Sequence, residues 1–116
     1  MRIIGGQYRG KKIQAPEHLT IRPTTDFAKT GIFNIVHSRY DFENLAVLDL
    51  FAGTGAITYE FLSRGCKKIE CVDRDAGCVK FIHETLERHL FLHFFNNPNN
   101  LLTRKNNGQL FFGPYK

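Results

Sequence analysis

The stretch VLDLFAGTGA, residues 47–56, decides the fold class of this 116-residue chain. Residues 46–51 form an apolar run interrupted only by Asp49, which predicts a strand buried on both faces in a parallel sheet. Gly53-Thr54-Gly55 then turns the chain, and a helical pattern begins at Ala56. Open α/β sheets bind nucleotides where a strand turns into a helix, so the same stretch predicts a ligand site.

Strand and helix patterns continue on the C-terminal side of this turn. The helix that begins at Ala56 is expected to end at Arg64, before Gly65, and Lys68 to Asp73 has the alternating character of a second strand. A second helix is predicted from Ala76 to about Leu90. Its apolar face comprises Cys78, Val79, Ile82, Leu86 and Leu90. This order predicts an α/β protein with a Rossmann-like βαβα unit.

A further helix is predicted before the first strand, from about residue 25 to 39. Thr24 or Thr25 can cap it, and Asp26 suits its positive end. Its packed face is expected to comprise Ala28, Gly31, Ile32, Ile35 and Val36. Upstream, short apolar pieces alternate with Gly5-Gly6, Gly10, Pro16 and basic residues, which indicates a hairpin or extended arm rather than a core element.

The C-terminal quarter has a different character. Residues 91–95 are apolar enough for a strand, residues 96–107 contain six asparagines and predict a loop, and Leu110-Phe111-Phe112 predicts one more short strand. We therefore expect an arm over residues 1–23, a core over 24–95 and an irregular Asn-rich tail over 96–116.

Composition bounds the class of protein. With 42% apolar and 23% charged residues the chain is an ordinary globular domain, and the length excludes two domains. No apolar run is long enough to span a bilayer and no signal-peptide core follows Met1, so we expect a cytoplasmic protein without a membrane partner. The odd number of cysteines, Cys66, Cys71 and Cys78, indicates reduced thiols.

The net charge of +5 is unevenly distributed: +5 over residues 1–40, −3 over 41–95 and +3 over 96–116. A basic arm beside an acidic middle is what an electrostatic contact with nucleic acid requires, although an ordinary solvated surface is an equally simple explanation.

Two carboxylates indicate the ligand. Asp49, four residues before Gly53, would repel a pyrophosphate but attract an ammonium group, and Asp73 ends the next strand at an offset typical of an acid that binds a ribose diol. Thr58 stands where the dinucleotide fingerprint has its third glycine. Together these features predict S-adenosylmethionine; the alternative is that both acids are structural.

Several separated motifs resemble the bacterial RsmD family of 16S ribosomal RNA guanine-N2 methyltransferases. They are Met1 to Lys12, Arg22 to Asp26, Ile32 to Ile35, Asp49 to Ala56, Ser63 to Gly65 and Val72 to Asp75. The resemblance covers residues 1 to about 90. It implies a Rossmann-like methyltransferase fold, S-adenosylmethionine as methyl donor, and a guanine amine of 16S rRNA in the small ribosomal subunit as acceptor.

The resemblance also assigns residues to sites. The cofactor-binding set is Arg22, Thr24, Asp26, Asp49, Phe51, Ala52, Gly53, Thr54, Gly55, Asp73 and Arg74. The RNA-binding set is Arg2, Arg9, Lys11 and Lys12, whose phosphate contacts would position RNA without reading its sequence. We expect a monomer.

The family's catalytic signature, Asn or Asp followed by Pro-Pro and an aromatic residue, is missing here. Asn97-Pro98-Asn99 and Gly113-Pro114-Tyr115 are partial matches that lack its essential side chains, so the catalytic residues are unknown. One hypothesis is that truncation or a frame change produced residues 91–116. A cofactor- or RNA-binding fragment without activity is therefore the alternative function, and a nicotinamide-dependent oxidoreductase is a second one that Asp49 opposes.

A metal site is a weaker possibility. His83, Glu87, His89 and His93 recur at helical spacing, but an amphipathic helix end explains them more simply, and we expect no metal.

Overall fold

The structure is a computed structural model that describes residues 1–19, 22, 24–90, 100–105 and 109–114. Helix α1 is Asp26–Arg39, strand β1 is Ala46–Asp49, helix α2 is Ala56–Ser63, strand β2 is Lys68–Val72 and helix α3 is Ala76–Thr85. A π-helical turn, Leu86–Leu90, extends α3, and strands β3, Asn100–Lys105, and β4, Gln109–Pro114, follow. The predicted order of strands and helices around the glycine turn is confirmed.

The four strands form one sheet in the order β1-β2-β4-β3. Strands β1 and β2 are parallel, with Asp49 opposite Cys71, so the predicted parallel unit is confirmed. Strand β4 runs antiparallel to both β2 and β3. The parallel pair brings the carboxyl ends of β1 and β2 to one edge of the sheet, next to the glycine turn.

The C-terminal prediction is wrong in part. A loop was expected over residues 96–107, but β3 occupies Asn100–Lys105, and the strand predicted at Leu110-Phe111-Phe112 extends over the whole of β4. Antiparallel pairing explains the difference, because a partner strand supplies backbone hydrogen bonds to residues without apolar periodicity. The strand predicted over 91–95 lies outside the described residues.

The predicted burial of β1 is wrong. Its residues alternate between exposed and half-buried, and the Leu48 side chain remains 56% exposed. The reason is its position: within the described sheet β1 pairs with β2 alone, so its other edge and one face have no covering element.

The cap of α1 is confirmed, but the prediction of its packed face is wrong in part, since Val36 packs against the core as expected while other residues of that face do not. Thr25 accepts a hydrogen bond from the Ala28 backbone N–H, as an N-cap does. The buried side chains are Lys29 and Phe33, whereas Ile35, from the expected face, is 58% exposed. Phe33 turns inward because its ring packs edge-on against Phe61 of α2, with centroids 4.7 Å apart.

The N-terminal arm is a hairpin, as expected, but it also belongs to the core. Arg2 and Lys12 form an antiparallel bridge, and both Ile3 and Ile13 are buried. They join a cluster that includes Tyr59, Leu62, Cys66, Ile69, Val79, Ile82 and Leu86. The arm is therefore docked on the domain, because its apolar residues pack into the core. The sequence predicts only a surface extension.

Burial elsewhere follows the sequence. Of the face of α3 expected to pack, Cys78, Val79, Ile82 and Leu86 are buried, whereas the side chain of Leu90 is not described; the three cysteines are free. No helix within the described part of the chain is long and apolar enough to cross a membrane.

Candidate functional site

The glycine turn after β1 has the backbone conformation that its sequence predicts. Gly53 and Gly55 have φ values of 56° and 94°, which only glycine adopts without strain. A Cβ on Gly55 would lie 2.5 Å from the Tyr59 ring, so the turn is also packed tightly onto α2. The loop backbone is therefore held in one shape, with its amides at the end of the sheet.

Asp73 holds this loop in place. Its Oδ2 accepts a hydrogen bond from the Gly53 backbone N–H at 2.9 Å, and its Oδ1 accepts one from the Asp75 N–H, also at 2.9 Å. Asp75 in turn caps α3 through the Gly77 N–H. A carboxylate has about four lone-pair positions, so Asp73 keeps acceptor capacity for a ligand hydroxyl.

Asp49 lies in a less favourable environment for a charge. Its Oδ2 accepts a hydrogen bond from the Thr58 hydroxyl at 3.0 Å. Burial raises the pKa of Asp49 above its usual range, and the nearby negative charge of Asp73 adds to this, although the Thr58 hydroxyl and the Phe51 N–H act in the opposite direction. In the part of the chain that the structure describes, neither carboxylate has an ion-pair partner.

A cleft lies beside the turn and joins it to the segment before α1. Arg22 and Thr24 line it on one side, and the loop and the start of α2 line it on the other. The remaining lining residues are Phe51, Ala52, Gly53, Thr54, Ala56 and Ile57. The structure thus brings together six of the residues predicted to bind a cofactor, and it attaches Asp73 to them through Gly53.

The other predicted cofactor residues are placed differently. Gly55 packs behind the turn, and Asp49 lies under it, bonded to Thr58. Asp26 does not line the cleft; its Oδ2 accepts a hydrogen bond from Arg2 Nε of the arm at 2.8 Å. Arg74 is exposed beyond Asp73. Asp26 thereby links the predicted RNA-binding set to the helix that follows the cleft.

These residues fit S-adenosylmethionine. Two neighbouring carboxylates without a cation favour a ligand that carries positive charge, and the amino group and sulfonium of S-adenosylmethionine supply it. Gly53, which lines the cleft, presents no side chain to a ligand there. The site does not suit a pyrophosphate, because the Asp49 carboxylate would repel its negative charge.

Sequence reasoning missed three residues that support the site. The sequence indicates Thr58 only as the residue in place of a third glycine, whereas its hydroxyl donates to Asp49 and orients it. Lys29 and Glu60 are a buried ion pair, 1% and 0% exposed, with Nζ and Oε1 3.5 Å apart. The sequence does contain a signal for this pair, namely a lysine and a glutamate that each lie inside an apolar helical pattern. Buried charges in proteins are paired, so two such residues are candidates for one ion pair.

The buried pair attaches the arm to both helices. Glu60 Oε1 accepts the Ile4 backbone N–H at 2.6 Å, and Lys29 Nζ donates to the Arg2 carbonyl oxygen. Ser63, at the end of α2, accepts the Tyr8 N–H at 3.0 Å and donates to the Gly5 carbonyl at 2.6 Å. The basic arm is therefore fixed against α1 and α2 and does not hang free.

Metal ligands do not cluster in the described region. His83 Nε2 lies 3.5 Å from Glu87 Oε1, but no group of three or more potential ligands occurs among the described residues. The remaining candidate, His93, is outside those residues, and the side chain of His89 is not described.

A parallel βαβ unit with a glycine turn and two strand-end carboxylates gives this chain a Rossmann-like α/β fold, and solved structures that share it are named as methyltransferases. The solved structure named "Putative methyltransferase yhhF from Escherichia coli" matches it with a TM-score of 0.64 and 28% identity, over 85% of this chain and 48% of that one. The solved structure of a "putative methylase" from Haemophilus influenzae matches with a TM-score of 0.57 and 30% identity, over 76% and 44%.

The sequence model of the family described as Conserved hypothetical protein 95 matches residues 1–110, and the chain belongs to this family, the RsmD family. "Putative rRNA methyltransferase YlbH" of Bacillus subtilis is 38% identical over 87 residues, which are 75% of this chain and 46% of the relative. "Ribosomal RNA small subunit methyltransferase D" of Escherichia coli is 39% identical over 75 residues, 65% of this chain and 37% of the relative. The chain thus spans about half or less of these relatives.

Proposed function

We propose that this chain forms the methyl-donor site and the RNA-contacting arm of an S-adenosylmethionine-dependent ribosomal RNA methyltransferase. The acceptor would be the exocyclic N2 of a guanine in 16S rRNA. The observation that carries the proposal is a pair of carboxylates, Asp49 and Asp73, at adjacent strand ends around the Gly53-Thr54-Gly55 turn, with no ion-pair partner among the described residues. Membership of the RsmD family supports the same class of reaction and of substrate.

Each residue has a defined part in this proposal. Asp49, held by Thr58, would accept hydrogen bonds from the amino group of the methionine end, and the Gly53-Thr54-Gly55 backbone would lie against the ligand. Asp73 would accept hydrogen bonds from the ribose hydroxyls. Arg22 and Thr24 would close the cleft from the side of α1. S-adenosylmethionine bound there supplies an electrophilic methyl group on its sulfonium.

Catalysis then depends mainly on position. Transfer to an amine needs the nitrogen in line with the sulfonium, and a fixed geometry of this kind can supply much of the rate. The docked arm would contribute by holding RNA phosphates with Arg2, Arg9, Lys11 and Lys12 relative to α1 and the cleft. No residue of this chain is assigned to the guanine itself.

Calorimetric titration with S-adenosylmethionine and, separately, with NAD tests the donor site. We expect binding of S-adenosylmethionine alone, and binding of NAD alone would contradict the proposal. Glu17→Gln, which removes an exposed carboxylate far along the chain from the turn, is the control and should bind as the wild type does.

The second candidate is a cofactor- or RNA-binding fragment without turnover. Labelled S-adenosylmethionine and small ribosomal subunits that lack the modification separate the two. Stoichiometric incorporation into 16S rRNA would establish the enzyme, whereas donor binding without incorporation would establish the fragment.

A further inference from the structure

The docked arm carries two cations at directly opposed positions. Arg2 and Lys12 face each other across the antiparallel bridge of the hairpin. Side chains at such positions lie on one face about 5 Å apart, and like charges there destabilise the pair. Of the carboxylates that the structure describes, Asp26 alone comes within ion-pair distance of either cation, so one positive charge is left without compensation. This face of the arm would be stabilised by an anion.

A pocket of about 130 Å³ lies beside these cations. Arg2, Ile3, Ile4, Arg9 and Gly10 line it, so a second arginine, Arg9, borders the same space. No atom lies within 4 Å of the position a Gly10 Cβ would take, so the glycine side of the turn is open. The pocket therefore combines two arginines with access from outside the molecule.

We propose that this pocket binds one phosphate of the RNA backbone between Arg2 and Arg9. The proposal rests on the proposed function, which brings the arm to RNA. A guanidinium presents five N–H donors in a planar fork suited to phosphate oxygens, and the hydrogen bond from Arg2 to Asp26 uses Nε of Arg2. Lys12 adds attraction at longer range from the opposite strand.

The position of this pocket would set where RNA lies relative to the donor cleft. The carbonyl oxygen of Arg2 accepts from buried Lys29, and its side chain pairs with Asp26, so one residue is attached to α1 at two points. Thr24, two residues before Asp26, lines the donor cleft. A phosphate held at Arg2 would thus be fixed relative to the methyl donor by the first turn of α1.

The test uses the dependence of RNA affinity on salt. Binding of a fluorescently labelled single-stranded RNA of mixed sequence is measured by anisotropy from about 50 to 200 mM KCl, where each phosphate contributes about 0.7 to the slope of log K against log salt. Arg2→Gln and Arg9→Gln should each weaken binding. The double variant should lower the slope by about 0.7 in total, because both arginines hold the same phosphate.

Three comparisons make the result decisive. Arg39→Gln, an exposed arginine at the other end of α1, should leave the slope unchanged, and Asp26→Asn should bind RNA more tightly because the competing carboxylate is gone. Inorganic phosphate at constant ionic strength should displace RNA from the wild type more readily than from the double variant. If the double variant lowers the slope by about 1.4, the two arginines hold two separate phosphates and the proposal is wrong. Slopes that do not change in any variant also contradict it.

Failure of the proposed function gives a different result. A wild type that shows no salt-dependent RNA binding contradicts the RNA contact itself, together with this pocket. A wild type that binds RNA with a slope unaffected by either arginine contradicts the pocket alone.

Discussion

At the scale of single residues, Asp49 and Asp73 both lie at the carboxyl end of a parallel strand, but they differ in their hydrogen bonds and burial. Asp73 has both oxygens bonded to backbone amides, so it stabilises the loop even without a ligand. Asp49 is half-buried with one hydroxyl donor, and burial raises its pKa. The contacts of Asp73 therefore support the fold, whereas the environment of Asp49 disfavours its charged form.

Replacing Asp73 should affect both roles. Asp73→Ala should weaken binding of S-adenosylmethionine by roughly 1 to 3 kcal/mol, because it removes charge-assisted hydrogen bonds to the ribose. It should also lower the unfolding temperature, because the Gly53 and Asp75 amides lose their acceptors. Calorimetry and thermal unfolding measure the two effects, with Glu17→Gln as control. An unchanged dissociation constant would remove Asp73 from the ligand site.

Asp49→Asn should separate stability from binding. The pKa of Asp49 is raised in the folded protein, so folding favours the protonated carboxyl. This contribution to stability is fully present below the usual pKa of about 3.9 and is lost as pH rises through the raised pKa. The variant should therefore be more stable than the wild type at pH 7 but not at acid pH. It should bind S-adenosylmethionine about 1.5 to 3 kcal/mol more weakly, through loss of the ionic acceptor.

Denaturant unfolding at the two pH values and calorimetry at pH 7 check this prediction. A variant that is less stable than the wild type at pH 7 would show that ionised Asp49 is a structural acid.

At the scale of elements, the arm and α2 meet through backbone as well as side chains. The Gln7 N–H donates to the Ser63 carbonyl at 2.7 Å, directly beside Gly6. A Cβ on Gly6 would lie 2.1 Å from that same carbonyl oxygen, so only glycine allows this approach. The arm can dock where it does because one position in its turn has no side chain.

Two glycines of the turn provide a matched pair of variants. Gly6 and Gly10 both have positive φ, 77° and 86°, so alanine at either costs about 1 to 2 kcal/mol of backbone strain. Gly10→Ala should cost no more than this, since its Cβ would enter open space. Gly6→Ala should cost clearly more, because the arm must move away from Ser63.

Urea unfolding measures both variants, and limited proteolysis of the arm shows whether it has detached. Equal losses of stability in the two variants would mean that the contact between Gly6 and Ser63 contributes nothing to docking.

The same elements show what sequence can and cannot predict. The glycine turn, the β1-α2-β2-α3 order and the capping by Thr25 follow from local chemistry and are confirmed. The orientation of α1 does not follow from its own residues, because Phe33 and Lys29 are turned inward by Phe61 and Glu60, which come about thirty positions later in the sequence. The pairing of β4 with β2 depends likewise on a partner distant in sequence.

At the scale of the whole molecule, two apolar surfaces are exposed, one on α1 and one on and after β1. Phe27 and Ile35 share one side of α1 and are 91% and 58% exposed, while Leu48 is exposed on β1. Ile32 of α1 and Leu50 and Phe51 after β1 are exposed as well. Monomeric proteins rarely leave contiguous apolar patches of this kind in water.

We predict that the isolated chain associates reversibly through these surfaces, in contrast to the monomer expected from sequence. Ile35→Lys should shift the sedimentation profile toward the monomer, while the free energy of unfolding changes by no more than about 0.5 kcal/mol. Thr30→Lys adds the same charge to an exposed polar position of α1 and should not change association. A wild type that stays monomeric at all concentrations would contradict this prediction.

The three buried cysteines give the molecule a property that its ligand site does not require. Burial, the largest cause in each case, raises the pKa of Cys71 to about 12 and that of Cys78 to about 11, so the reactive thiolate is scarce at neutral pH. Cys66 lies before β2, Cys71 within β2 and Cys78 at the start of α3. An alkylating reagent would consequently modify each thiol only when its surroundings open, so the rate of modification at each cysteine would report local unfolding around β2 and the start of α3.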